Sequence, residues 1–138
     1  MLEGATVDHV ALSVGDLDAM IGFYGRLGFR TIARSNFSPA PVRSALLRTR
    51  GGITLELTAH TGSIEAAPAA GPIEAAKRRG IYHVALRVRE LDGAVAEIET
   101  AGGRLVVAPA SNSRGDGRYA YVADLEGNLI ELVVPGAA

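Results

Sequence analysis

The chain contains no cysteine. That single absence excludes disulfides, thiolate metal sites and cysteine nucleophiles. There is no excess of one charge either. Fourteen Lys and Arg face fifteen Asp and Glu, for a net charge of −1, so nothing draws the protein to nucleic acid or to an anionic membrane. No apolar run approaches the length needed to span a bilayer. The first residues, MLEGATVDHV, show neither the basic nor the apolar region of a signal peptide, and a cytoplasmic protein is expected. The 138 residues suit one domain with a real core. Histidine is scarce, with three in the chain, and two of the three stand in matching places.

Those places belong to a duplication. HVALSVGDLD (9 to 18) aligns with HVALRVRELD (83 to 92), and ITLELTA (53 to 59) resembles NLIELVV (128 to 134). Glu56 lies 47 residues after His9, and Glu131 lies 48 after His83. The order and the spacing are both kept. The chain is therefore read as a single domain over 1–138, with module one at 5–60, a linker at 61–80 and module two at 81–135. The linker is rich in Ala, Gly and Pro, with a short helix expected near 73–79.

Each module has the same plan. Residues 7–14 alternate as a strand does. Asp16 caps a helix whose Leu17, Met20, Ile21, Tyr24 and Leu27 form one stripe, and Gly28 ends it. Strands follow near 29–34, 42–49 and 52–59. Module two repeats this with a strand at 81–88 and a helix at 91–101 that turns Leu91, Val95 and Ile98 inward. Gly102 and Gly103 stop that helix, and strands follow near 104–108, 118–123 and 128–134. The unit is βαβββ, used twice, and the fold class is α+β. The Gly- and Ser-rich stretch SNSRGDGR (111 to 118) reads as a loop that could close over a site.

Side chains alternate across a strand. Val10, Leu12 and Val14 take the helix-packed face, which sends His9 to the other one. By the same count His83, Glu56 and Glu131 all leave the core face. A carboxylate flanked by leucines is costly to bury alone. Two Glu and two His can offset one another by sharing a cation, and imidazole with carboxylate suits a divalent first-row metal. Zinc or nickel come first, with cobalt, manganese and iron also open. Three further residues are candidates for binding substrate. Arg87 shares the face of His83, Tyr121 shares that of Tyr119, and His60 follows Glu56 and Thr58 along one strand face.

The stretches HVALSVGDLDAMIGFYGRLGFR, YHVALRV and VADLEGNLIELV resemble the opening strand and helix, the second-module start and the closing hairpin of the vicinal oxygen chelate superfamily. That superfamily holds glyoxalase I, methylmalonyl-CoA epimerase, extradiol dioxygenases and bleomycin-resistance proteins, and the likeness covers nearly the whole chain. The resemblance implies paired βαβββ modules forming an open, curved sheet around a metal cleft. It puts the metal ligands at His9, Glu56, His83 and Glu131, and it implies a homodimer acting on a small molecule. With two carboxylates at the metal it implies a lyase or isomerase that moves a proton next to a carbonyl, with Glu131 as base and Glu56 as its partner or a plain ligand.

Two positions depart from glyoxalase I. That enzyme carries Arg shortly after the first His and Asn four residues after the first Glu, where this chain has Ser13 and His60. A reaction independent of glutathione is expected. The epimerase carries Gln where Glu56 stands, and a coenzyme A site is not evident. Two other readings stay open. An extradiol-type dioxygenase would use ferrous iron, with a Tyr ten residues before the Glu, as Tyr121 stands before Glu131. A protein of the bleomycin-resistance kind would bind a small molecule without metal.

Overall fold

A computed structural model describes residues 2–136. The chain divides into two compact units with the boundary between Glu65 and Ala66, and each is described by itself. The class is α+β, built from two βαβββ modules.

The first unit runs β1 (Val10–Ser13), α1 (Leu17–Arg26), β2 (Arg30–Asn36), β3 (Val42–Arg48) and β4 (Thr54–His60). Its sheet has the order β1-β4-β3-β2, with β1 parallel to β4 and the other neighbours antiparallel. The Asp16 side chain accepts a hydrogen bond from the Ala19 N–H at 3.0 Å, capping α1 as the sequence suggests. Leu17, Met20, Phe23 and Tyr24 are the buried face of that helix. Phe23, fully buried, replaces Ile21 and Leu27 of the expected stripe, which are half-buried. Leu47, Leu55 and Leu57 meet α1 from the sheet side. A side chain of this size gains about 1.5–3 kcal/mol on full burial.

The second unit holds α2 (Pro72–Ala75), β5 (Val84–Arg87), α3 (Leu91–Ala101), β6 (Arg104–Ser111), β7 (Gly117–Ala123) and β8 (Leu129–Pro135). Its sheet order, β5-β8-β7-β6, repeats the first, again with the outer strand parallel to its neighbour. Leu91, Val95, Ile98 and Ala101 are buried on α3. Gly102 ends the helix at φ 108°, a left-handed turn that suits glycine. The buried side chains of Leu132, Val122 and Ile130 complete this core. No helix of the described residues is long and apolar enough to cross a membrane.

The structure corrects four local expectations. The first strand of each module begins one residue after its histidine, at Val10 and Val84, so neither His9 nor His83 lies in mid-strand. Hydrogen bonding to the parallel neighbour starts only at these valines, opposite Leu55 and Ile130. The linker helix is a single turn, Pro72–Ala75, rather than 73–79. Its N-cap is Gly71, which supplies no side-chain bond, and it buries no residue. Within 61–80 it therefore has little to extend it. The strand at 104–108 continues to Ser111. The loop expected over 111–118 shrinks accordingly to a hairpin tip at 112–116. It is closed by the Asn112 N–H to Gly117 carbonyl bond at 2.8 Å and by the Arg114–Asp116 ion pair.

Candidate functional site

The strand register decides which residues share a face. In the first sheet, Ala11, Glu56 and Leu46 lie side by side. In the second, Ala85, Glu131 and Tyr121 occupy the equivalent row. The helix-packed leucines lie in the neighbouring rows, so both carboxylates turn away from the cores. Alanine beside each Glu is small and exposed, and leaves the carboxylate uncovered on that side.

Each histidine meets the carboxylate of its own module. His9 Nε2 lies 3.7 Å from Glu56 Oε2, and His83 Nε2 lies 3.1 Å from Glu131 Oε2. The first pair is half-exposed and the second is more enclosed, with both side chains at 20% exposure. Within either unit, no group of three or more His, Asp or Glu among the described residues is arranged to hold a metal ion.

The surroundings of the two histidines differ. His9 Nδ1 donates to Asp8 Oδ2 at 2.8 Å. That bond raises the His9 pKa above its ordinary value; partial desolvation opposes it, and the charges of Glu56 and Asp8 add to it. Thr58 Oγ1 donates to Glu56 Oε1 at 2.9 Å. In module two, Tyr82 and Tyr121 set their rings edge-on to His83, at centroid distances of 4.5 and 5.3 Å. The buried His83 Nδ1 has no hydrogen-bond partner among the described residues. Tyr121 is 8% exposed. Its phenol is pushed up to about 12, first by burial and then by the charges of Glu131, Tyr82 and Tyr119.

Each unit brings together one imidazole and one carboxylate, at a spacing that two ligands of a shared divalent cation would have. Two ligands about 2.1 Å from one ion stand roughly 3.0 Å apart at a right angle and 3.4 Å apart at a tetrahedral angle. The 3.1 and 3.7 Å separations are of that order. A hydrogen on His9 Nδ1 leaves its Nε2 a lone pair on the side of Glu56. At His9 the bond to Asp8 fixes that tautomer.

The other candidates spread out. His60 ends β4, exposed, and its Nδ1 accepts from the Gly62 N–H at 2.9 Å. It lines a groove of about 500 Å³ with Asn36, Arg43, Thr61 and Ser63. Arg87 ends β5, exposed, in the row of Val133 and Tyr119. Asp8, Thr58 and Tyr82 contact the paired residues, yet periodicity does not single them out. One signal was available: the two copies read DHV and YHV, and differ at the residue before the histidine.

The sequence profile of the Glyoxalase/Bleomycin resistance protein/Dioxygenase superfamily matches residues 6–132. The chain belongs to that superfamily. No curated protein matches it by sequence. Among solved structures it is similar to a glyoxylase/bleomycin resistance protein/dioxygenase domain from Frankia sp. EAN1pec. The two are 19% identical over 95% of this chain and 92% of that one, with a TM-score of 0.73. The trypanothione-dependent glyoxalase I of Leishmania major is 23% identical over 94% and 86%, with a TM-score of 0.68. A bleomycin-binding protein, solved with bleomycin, is 23% identical over 94% and 98%, with a TM-score of 0.63. At these identities the structures establish the glyoxalase fold. The superfamily holds enzymes and binding proteins alike, so the reaction must be argued from the residues.

Proposed function

We propose that the protein is a metal-dependent enzyme of the glyoxalase type. It moves a proton next to a carbonyl, as a lyase or isomerase, on a small substrate with vicinal oxygens and without glutathione. The observation that carries this reading is the His–Glu pair made in both modules, with Nε2 facing Oε2 each time. His9, Glu56, His83 and Glu131 are the proposed ligands of one divalent ion. Zinc or nickel is proposed first, with cobalt, manganese or iron as further candidates. The protein is proposed to act in the cytoplasm as a homodimer.

When bound, the ion supplies Lewis-acid catalysis to the paired substrate oxygens. The remaining work falls to the chain. Glu131 takes the proton from the carbon beside the carbonyl and returns it to the neighbouring atom, so no oxidant or reductant is needed. Glu56 is its partner or a plain ligand. Tyr121, whose phenol stays protonated to about 12, donates toward the oxygen on which charge develops. Arg87 pairs with an anionic substrate group, and His60 meets the substrate at the groove it lines.

A second reading is favoured by one observation. Tyr121 lies edge-on to His83 and ten residues before Glu131, which suits an extradiol-type dioxygenase holding ferrous iron. Elemental analysis of the purified protein and of His83→Ala tests both readings. The expected result is one divalent ion per site in the wild type, lost in the folded variant. Deuterium exchange next to the carbonyl of small α-hydroxy carbonyl compounds, followed by NMR, then reports the chemistry. Unchanged metal content in His83→Ala removes the basis of the proposal. Iron together with catechol-dependent oxygen uptake replaces it with the second reading. A metal-free protein that binds small molecules replaces it with a bleomycin-resistance-like role.

A further inference from the structure

The strands β2, β3 and β4 carry charge of one sign. Between residues 30 and 63, Arg30, Arg34, Arg43, Arg48 and Arg50 stand against Glu56 alone, in a chain whose net charge is −1. Arg34 is engaged by Asp18 and Arg48 by Thr54. Arg43 is exposed and has no such partner among the described residues. It lines the groove of about 500 Å³ that lies wholly within the first unit. No carboxylate lines that groove among the described residues.

The groove is built where three strands end. Asn36 and Arg43 are partners across β2 and β3, and Val42 and His60 are partners across β3 and β4. Two backbone bonds hold its walls, from the Phe37 N–H to the Val42 carbonyl and from the Thr61 N–H to the Pro41 carbonyl, both at 3.0 Å.

We propose that this groove is an anion-binding subsite, in which Arg43, His60 and Asn36 hold the carboxylate or phosphate end of an extended substrate. This rests on the proposed metal-dependent reading for the substrate, whereas the groove's own binding needs no metal. The Ser38 N–H donates to Asn36 Oδ1 at 3.1 Å, which assigns the amide and leaves its NH2 to donate. The Gly62 N–H donates to His60 Nδ1 at 2.9 Å, so the ring hydrogen sits on Nε2, which has no partner among the described residues. The Arg43 fork carries donors alone. In all three, the accepting atom is used or missing and a donor is left over. A groove lined in this way favours an oxyanion, which accepts from several donors at once.

Glu56 and His60 share one face of β4, four residues apart. At the rise of a strand that separation is roughly 13 Å. A substrate with its reacting end at Glu56 and its anionic end in the groove spans about that length. A pyruvate-sized compound cannot reach both.

The test starts with the full chain, freed of metal by a chelator and titrated with inorganic phosphate or with acetate. Proton–nitrogen NMR is expected to show saturable shifts at the Gly62 amide, the Asn36 side-chain amide and the Arg43 Nε–H. The tighter of the two anions identifies the end group. Arg43→Gln and His60→Phe are each expected to weaken this binding about tenfold. Arg50→Gln, outside the groove, is expected to keep it. Thermal melts confirm that each variant is folded. Shifts that never saturate, or an equal loss in Arg50→Gln, would overturn the groove as an anion site. The exchange assay is then run on metal-loaded protein with α-hydroxy carbonyl compounds whose chains end in the preferred anion or in an alcohol. The anionic compound is expected to have a KM about tenfold lower, an advantage lost in Arg43→Gln. Anion binding without that advantage would overturn the link to substrate. Anion binding in a protein that takes up no divalent ion keeps the groove and discards the metal-dependent reading.

Discussion

His83 Nε2 stands 3.1 Å from Glu131 Oε2 across the start of β5 and the middle of β8, while Nδ1 on the same ring is buried with no hydrogen-bond partner among the described residues. The ring is therefore oriented by Glu131 at Nε2 and by the Tyr82 and Tyr121 rings packed on it. Tyr121→Phe keeps the edge-on ring and deletes the hydroxyl. If that hydroxyl donates to a developing oxyanion, turnover falls by about 100-fold or more with only a small change in stability. Steady-state kinetics beside a denaturation curve separates the two effects, and unchanged turnover removes Tyr121 from the chemistry.

The phenol of Tyr121 also has a titration to itself. Its proton is held to about 12, mainly by burial. The folded state thus binds this proton more tightly than the unfolded chain does. Stability from this group is fully present below the ordinary phenol value of about 10 and is lost as pH rises through about 12. Absorbance at alkaline pH is expected to show a late-ionising component that is missing from Tyr121→Phe.

His9 titrates in the opposite part of the scale. Its pKa is raised, first through the bond to Asp8, so the folded state favours the imidazolium. The stabilising contribution is complete below about 6.5 and fades as pH rises through the raised value. Asp8→Asn is expected to lower the His9 midpoint toward the ordinary one, as followed by NMR of the imidazole protons. A midpoint that does not move would show that Asp8 is not the cause.

Glu131 depends on the hairpin that joins β7 to β8 and ends at Asn128, three residues before it. Asp124, 3% exposed, accepts from the backbone N–H groups of Glu126 and Asn128 and from the Asn128 side chain. Asp124→Ala leaves those donors without their acceptor. The expected loss is roughly 2–4 kcal/mol, since each donor deprived of its partner costs about 1–3 kcal/mol. Chemical denaturation measures it. A loss under about 1 kcal/mol would mean that water replaces the carboxylate.

The two cores offer a matched pair. Leu57 is 0% exposed in the first unit and Leu132 is 2% exposed in the second. Leu57→Ala and Leu132→Ala are each expected to cost about 2–5 kcal/mol. Both should leave the His–Glu pairs in place, because these leucines lie on the opposite sheet face from Glu56 and Glu131. A melt together with metal content checks both halves of that statement.

Much of this was written in the chain. The alternation of ITLELTA and NLIELVV sets Leu57 and Leu132 against Glu56 and Glu131, because successive side chains on a strand point opposite ways. Asp16 marks the start of α1, because a short acceptor there meets free N–H groups. The copying of HVAL puts each histidine in the same place in its module. The exact start of β1 and β5 was not legible, since pairing at a strand end depends on the neighbour and not on the strand's own residues. That Asp8 holds Nδ1 of His9, while Nδ1 of His83 is buried with no hydrogen-bond partner among the described residues, was decided only by tertiary structure. So was the tie from Thr58 to Glu56. Periodicity fixes the face on which a side chain stands, but its rotamer and its hydrogen-bond partner follow from what the fold brings within 3 Å of it.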